Sequence, residues 1–247
     1  MTPLLEMHAV TAGYVADIEI LRDVSVSVAA GGITGLIGLN GAGKSTIMKT
    51  ICGFLRPKSG GIVLDGAEIT GIAPHSVIDR GIFYIPQESS LFVHMSVEDN
   101  LRLPLEHLAR RPGGPTRAQI AGRFADTFEK FPVLSERRKA HAGDLSGGQQ
   151  KMLEFAKAHL VRPRLCLIDE PSIGLAPKVA EEVYQWIDLF AAERTAILLV
   201  DHNVRRVVRM SSYIYVLSLG EITAQGPPEA FQGDLHEQVK TWLGINF

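Results

Sequence analysis

The stretch that most constrains this chain is Gly38-Leu39-Asn40-Gly41-Ala42-Gly43-Lys44-Ser45-Thr46. An apolar, β-prone run from Ile33 to Ile37 precedes it, and a run that reads as helix, Ile47 to Cys52, follows. Strand, glycine-rich turn and helix in that order make a phosphate loop. The glycines let the backbone curl with its N–H groups inward, and the helix N-terminus adds partial positive charge, so a polyphosphate is held mostly by main chain. In such a loop Lys44 reaches the β- and γ-phosphates and the Ser45 hydroxyl binds Mg²⁺.

The rest of the chain has to supply a core and a site around that loop. With 247 residues, 46% of them hydrophobic and 21% charged, it can bury a full core as a soluble globular protein. Its longest apolar runs, such as Ala196 to Val200, fall far short of the roughly 20 residues that span a bilayer, and the start of the chain has no basic-then-apolar signal. A cytoplasmic location is therefore expected. Cys52 and Cys166, the only cysteines, sit inside apolar elements and read as reduced core thiols. A net charge of −2 gives no footprint for nucleic acid.

In chain order, Ala9 to Tyr14 and the alternating Ile20 to Val28 predict an opening antiparallel β layer. Tyr14, ahead of the phosphate loop, can stack on a base or simply pack. Ile62 to Leu64, bracketed by Ser59-Gly60-Gly61 and Asp65-Gly66, predicts a hairpin that returns to this layer. Ile82 to Ile85 reads as a buried strand ending at Pro86-Gln87, where the glutamine can touch metal or water or be merely solvated. From Ser96 the texture becomes helical: Ser96 and Asp99 cap a helix that Pro104 should split or distort, and Thr116 with Gln119 caps another from Arg117 to Phe131. The basic residues between Arg110 and Lys139 read as solvated surface.

Leu145-Ser146-Gly147-Gly148-Gln149-Gln150 is another capped helix start. Two glycines in a first helical turn cost about 1 kcal/mol each, so a close approach is expected there, at a second N-terminus that favours an anion. Leu165 to Glu170 is an apolar strand that delivers two carboxylates to the edge of a sheet, Asp169 suited to Mg²⁺ and Glu170 to water. A turn from Pro171 to Pro177, a helix from Lys178 to Ala192 and a strand from Ile197 to Val200 lead to Asp201-His202. That histidine can sense a terminal phosphate or be structural. A last hairpin runs from Tyr213 to Ala224, and the tail from Pro228 to Trp242 reads as helix.

Taken in this order, the pieces resemble the ATP-binding subunit of ABC transporters over essentially the whole chain. Gly38 to Ser45 resembles the family's phosphate loop, Leu145 to Gln149 its signature, Leu165 to Asp169 its second nucleotide motif and Glu170 its catalytic carboxylate. The resemblance implies that Tyr14 stacks on adenine, that Gln87 links the metal to a membrane partner, and that His202 is the switch histidine. It implies an α/β fold: a P-loop NTPase sheet core with an N-terminal antiparallel β layer (1–90 and 161–247) and an inserted helical signature subdomain (91–160). ATP and Mg²⁺ are the implied cofactors. The implied partners are membrane permease subunits and a second ATP-binding subunit, identical or a paralogue, at the cytoplasmic face of the inner membrane, with a solute-binding protein if the system imports. Glu170 to Pro177 resembles the subgroup serving branched-chain amino-acid uptake. Its Ala176 stands where many relatives carry aspartate, so the contact drawn from that aspartate does not carry over. Pro86 to Phe92 and Asp201 to Arg205 are also similar to the ATPase that powers lipopolysaccharide export.

Two other classes are weaker. Non-transport ABC proteins acting on DNA or ribosomes generally carry long coiled coils or two cassettes, and this chain has neither heptads nor an internal repeat. A phosphate-loop kinase of small molecules leaves Leu145 to Gln149 unexplained.

Overall fold

The computed structural model describes residues 3–15 and 17–231. The chain opens with β1 (Pro3–Ala12) and β2 (Leu21–Ala29), which pair antiparallel with Met7 opposite Val26. β1 begins six residues before the predicted Ala9, and Tyr14 lies beyond its end. The alternating pattern is broken because Ala9 takes a left-handed conformation (φ 49°) where the register with β2 shifts. After β3 (Ile33–Gly38) and α1 (Lys44–Ile51), β4 (Ser59–Leu64) returns beside β1 and turns at Asp65-Gly66 into the short β5 (Ala67–Glu68). This sheet has the order β2-β1-β4-β5.

The second sheet is the core. β6 (Ile82–Ile85), β7 (Leu165–Asp169), β8 (Ala196–Val200) and β9 (Tyr213–Ser218) run parallel with β3, and β10 (Glu221–Gly226) closes the edge antiparallel to β9, giving the order β10-β9-β3-β8-β7-β6. Its central strands β7 and β8 are buried at every position and apolar up to Asp169 at the end of β7, because both faces are covered. On β7, Leu165 and Leu167 face the side shared with β1, β2 and α1, while Cys166 and Ile168 face the helices; β8 splits Leu198 from Ile197 and Leu199 in the same way. Cys52 and Cys166 are free and buried, and burial raises the Cys52 thiol pKa to about 12, so neither is a reactive thiolate.

Between β6 and β7 the chain is helical: α2 (Val97–Ala109), α3 (Arg117–Lys130), α4 (Pro132–Glu136) and α5 (Gly147–Val161). Pro104 does not split α2. Leu101 and Leu105 are fully buried on either side of it, and the buried Asn100 side chain ties the first turn to the Phe92 and Ser96 carbonyls, so packing outweighs the lost backbone bond. α6 (Pro177–Ala192) and α7 (Val204–Met210) cover the same face. The tail read as helix from Pro228 shows a 3-10 turn over Pro228–Phe231, and the remainder lies outside the described residues.

Candidate functional site

The phosphate loop joins the carboxyl end of β3 to α1. At Gly38 a Cβ would sit 2.4 Å from the Leu217 carbonyl oxygen, so a side chain is sterically excluded. Gly43 is the N-cap of α1 at φ 109°, a conformation that L side chains rarely adopt, and no side chain caps the helix. The first N–H groups of α1 are thus left for an anion. Lys44 is buried and arches back over the loop: its ammonium donates to the Gly38 and Leu39 carbonyls at 3.0 Å each and stands 3.5 Å from Glu170 Oε1. Polyphosphate oxygens would replace those carbonyls as acceptors without moving the charge far.

This loop forms one wall of a cavity of about 410 Å³. Asn40, Gly41, Gly43, Lys44, Ser45 and Thr46 line one side, Gln87 and Glu170 another, and Tyr14 stands at the rim with its ring half exposed and the Lys49 ammonium 5.6 Å from its centroid. Ile20 and Ile173 complete the walls. Gly38, Leu39 and Ala42 shape the loop without lining the cavity.

Asp169, at the end of β7, lies almost fully buried beside it. Its Oδ2 accepts the Tyr84 hydroxyl at 3.2 Å, and the Ser45 hydroxyl also bonds to it. Its Oδ1 has no partner, one of two such buried side-chain atoms among the described residues, the other being Ser211 Oγ. Burial raises the Asp169 pKa above its ordinary value, against the two hydroxyl bonds, and nearby Glu170 adds to the rise. A buried carboxylate oxygen without a donor, beside a serine hydroxyl, fits a hard divalent cation such as Mg²⁺. Glu170 follows at φ 45°, anchored by its N–H to the Val200 carbonyl at 2.8 Å, so a left-handed turn aims its carboxylate into the cavity.

The other sequence-predicted residues lie apart. His202 does not line the cavity; its side chain is 55% exposed, with Nδ1 3.3 Å from Asp201 Oδ1. Asp201 itself is buried and well supplied, accepting the Ser172 hydroxyl at 3.0 Å, the Tyr184 hydroxyl at 3.1 Å and the Asn203 N–H at 2.8 Å. Ser146 caps α5 in a reciprocal capping box with Gln149 and is exposed, away from this cavity. The close approach expected at the paired glycines occurs at Gly148, where a Cβ would meet Val179 at 2.8 Å. Gly147 faces open space, with nothing within 4 Å of a Cβ built there. Ala176 is the N-cap of α6 without a side-chain bond.

Sequence reading missed Ile20, Ile173 and Tyr84. The first two are ordinary apolar letters whose exposure only the fold reveals. Tyr84 carried a faint signal, a phenol in the last turn of pleat before a strand end, next to a strand that ends in Asp169.

Comparison with known proteins adds to this geometry. The ABC transporter family matches residues 21–173. A high-affinity branched-chain amino acid transport ATP-binding protein of Pseudomonas aeruginosa is 35% identical over 211 residues, 85% of this chain and 87% of that protein. A lipopolysaccharide export system ATP-binding protein of Haemophilus influenzae is 35% identical over 230 residues, 93% of this chain and 92% of that one. Among solved structures, the ADP conformation of an ATP-binding cassette of an ABC transporter superposes with a TM-score of 0.78 at 28% identity, covering 99% of this chain and 96% of that one.

Proposed function

We infer the function from one premise: this chain belongs to the ABC transporter family, as one of its ATP-binding subunits. Such a subunit binds nucleotide, hydrolyses ATP and works with membrane permease subunits. No helix among the described residues is long and apolar enough to cross a membrane, which suits a peripheral place on those partners. Beyond the family, we propose that the transporter imports branched-chain amino acids or related compounds, with a solute-binding protein feeding the permease and this subunit at the cytoplasmic face. The stretch from Glu170 to Pro177 and the Pseudomonas relative support that reading. Lipid or lipopolysaccharide export is the second reading, favoured by Pro86 to Phe92, Asp201 to Arg205 and the Haemophilus relative.

The observation that carries the mechanism is the convergence of Lys44, Glu170, Gln87 and the unpartnered Asp169 oxygen at the carboxyl ends of the sheet strands. Lys44 leaves its loop carbonyls for the β- and γ-phosphates, and the N–H groups of the loop and α1 hold the rest of the chain of phosphates. Tyr14 stacks on the base. Ser45, Gln87 and Asp169 hold Mg²⁺, which when bound neutralises phosphate charge. Glu170 polarises the attacking water, and phosphoryl transfer to it needs positioning and charge stabilisation more than covalent chemistry. His202 reaches the terminal phosphate only after its exposed side chain turns inward. Residues 91–160 act as a helical subdomain that carries the signature, and residues 1–90 and 161–247 as the nucleotide-binding part.

Gly147 has open space where a side chain would be, and Ser146 with Gln149 caps the exposed first turn of α5, away from the cavity. These features suit contact with nucleotide held by a second subunit, identical or paralogous, docked head to tail. The test is mixing. Lys44→Ala and Ser146→Arg chains are each expected to be inactive alone, and the mixed dimer to regain one working site. If mixing restores nothing, the head-to-tail reading fails.

A further inference from the structure

A second group of buried charges lies on α5, outside the cavity. Lys151, Glu154 and Lys157 are 9%, 2% and 8% exposed. The Lys151 ammonium is 2.6 Å from Glu154 Oε2 and donates to the Pro86 carbonyl at 3.3 Å. Glu154 Oε1 accepts the Ser90 N–H at 2.7 Å and the Ser90 hydroxyl at 3.3 Å, while Lys157 donates to the Ser90 carbonyl at 3.3 Å. Segment 86–90, which has no regular structure, is therefore held to α5 at both ends, and Gln87 lies between the two anchors. Burying three charges costs free energy that packed apolar side chains would not, so stability is a poor account of this cluster. Placement is a better one. The exposed first residue of α5, Gly147, precedes Glu154 by seven residues on the same helix, about 10 Å along a rigid rod.

We propose that Glu154, oriented by Lys151, is a positioning residue for Gln87: it pins segment 86–90 to α5, so that displacement at the Ser146 end of the helix is passed to the Gln87 side chain in the chain's own cavity. In the head-to-tail dimer this links the nucleotide met by Ser146 to the geometry at the other nucleotide. The proposal rests on the roles given above to Gln87 and Ser146.

The test compares Glu154→Gln, Gln87→Ala and the double variant in the full chain. Each single change is expected to lower kcat about tenfold with KM within about twofold, and the double to be no slower than the slower single, since the two act through one geometry. In nucleotide-free Glu154→Gln, the Ser90 amide should exchange hydrogen faster while protection elsewhere is unchanged. A normal kcat in Glu154→Gln, a double variant as slow as the product of the singles, or a uniform rise in exchange overturns the proposal. Should Glu154→Gln fail to fold, the paired Lys151→Met/Glu154→Leu change removes both charges together; it is expected to fold and to be slow, and normal turnover there overturns the proposal too. A slow Gln87→Ala beside a normal Glu154→Gln discards this proposal alone, whereas a normal Gln87→Ala removes the role of Gln87 and this proposal with it.

Discussion

The two ends of the β7–β8 pair each open onto a cavity. At the carboxyl end about 410 Å³ is walled by Lys44, Gln87 and Glu170, with Asp169 beneath. At the amino end a slightly larger space of about 450 Å³ is lined by His159, Arg162, Phe190 and Glu193 among others. Size does not separate them; satisfaction does. At the amino end the His159 Nδ1 bonds to the Thr127 hydroxyl at 2.9 Å, its Nε2 lies 3.7 Å from Glu193, and Arg162 is paired with Asp126. At the carboxyl end Asp169 keeps an oxygen without a donor and α1 has no side-chain cap. Unspent hydrogen-bonding capacity, gathered where parallel strands end, is what a ligand can use.

The strongest way to break that contrast is Lys44→Ala. No other loop side chain can place positive charge between the β- and γ-phosphates, so turnover should drop by about 10³-fold or more and nucleotide affinity should weaken. A steady-state phosphate-release assay with wild-type turnover would dissolve the assignment of the carboxyl-end cavity.

Glu170→Gln comes next. It keeps size and hydrogen bonding but loses the charge that polarises water, so hydrolysis should slow by about 10²-fold or more while ATP still binds. Unhydrolysed ATP contacting both subunits should then shift the variant from monomer to dimer in size-exclusion chromatography, and ADP should not. Normal hydrolysis would end the catalytic role.

The smallest effect belongs to the amino end. Burial, the main cause, lowers the His159 pKa below its usual 6.5, reinforced by Arg162 and Lys130 and opposed by Glu193 and Asp126. Below its usual pKa the unfolded chain takes up a proton that the folded protein resists. The stability His159 contributes is thus complete above pH 6.5 and is lost as the pH falls toward the lowered value. His159→Gln should therefore show a shallower fall in Tm than wild type from about pH 7.5 to about pH 5.5, with ATP turnover unchanged at neutral pH. Loss of turnover in His159→Gln would mean that the two ends are not separate in function.

Much of the carboxyl-end site was legible because its chemistry is local. The phosphate loop needs consecutive residues, and the capping boxes at Thr116–Gln119 and Ser146–Gln149 need spacings of three, so both appear in the structure where the letters place them. Pro104 misled because its cost is local while its compensation, the burial of Leu101 and Leu105, is not. The Ala9 irregularity in β1 likewise depends on its partner strand.

The amino-acid sequence by itself determined which residue types could meet a polyphosphate and in what order the elements carrying them follow, since backbone conformation, periodicity and caps act over a few residues. It pointed to Asp169 for the metal but could not show that one strand-end aspartate would be saturated and the other left wanting. Asp169 and Asp201 end neighbouring buried strands and look alike in sequence, yet Ser172, Tyr184 and the Asn203 N–H saturate Asp201 while Asp169 keeps an open oxygen. The folding of Lys44 onto its own loop, the outward His202 and the bonds from α5 to Ser90 were decided at the same level. Hydrogen-bond satisfaction is a sum over donors and acceptors that meet only when segments far apart in the chain are packed together, and that sum exists only in the tertiary structure.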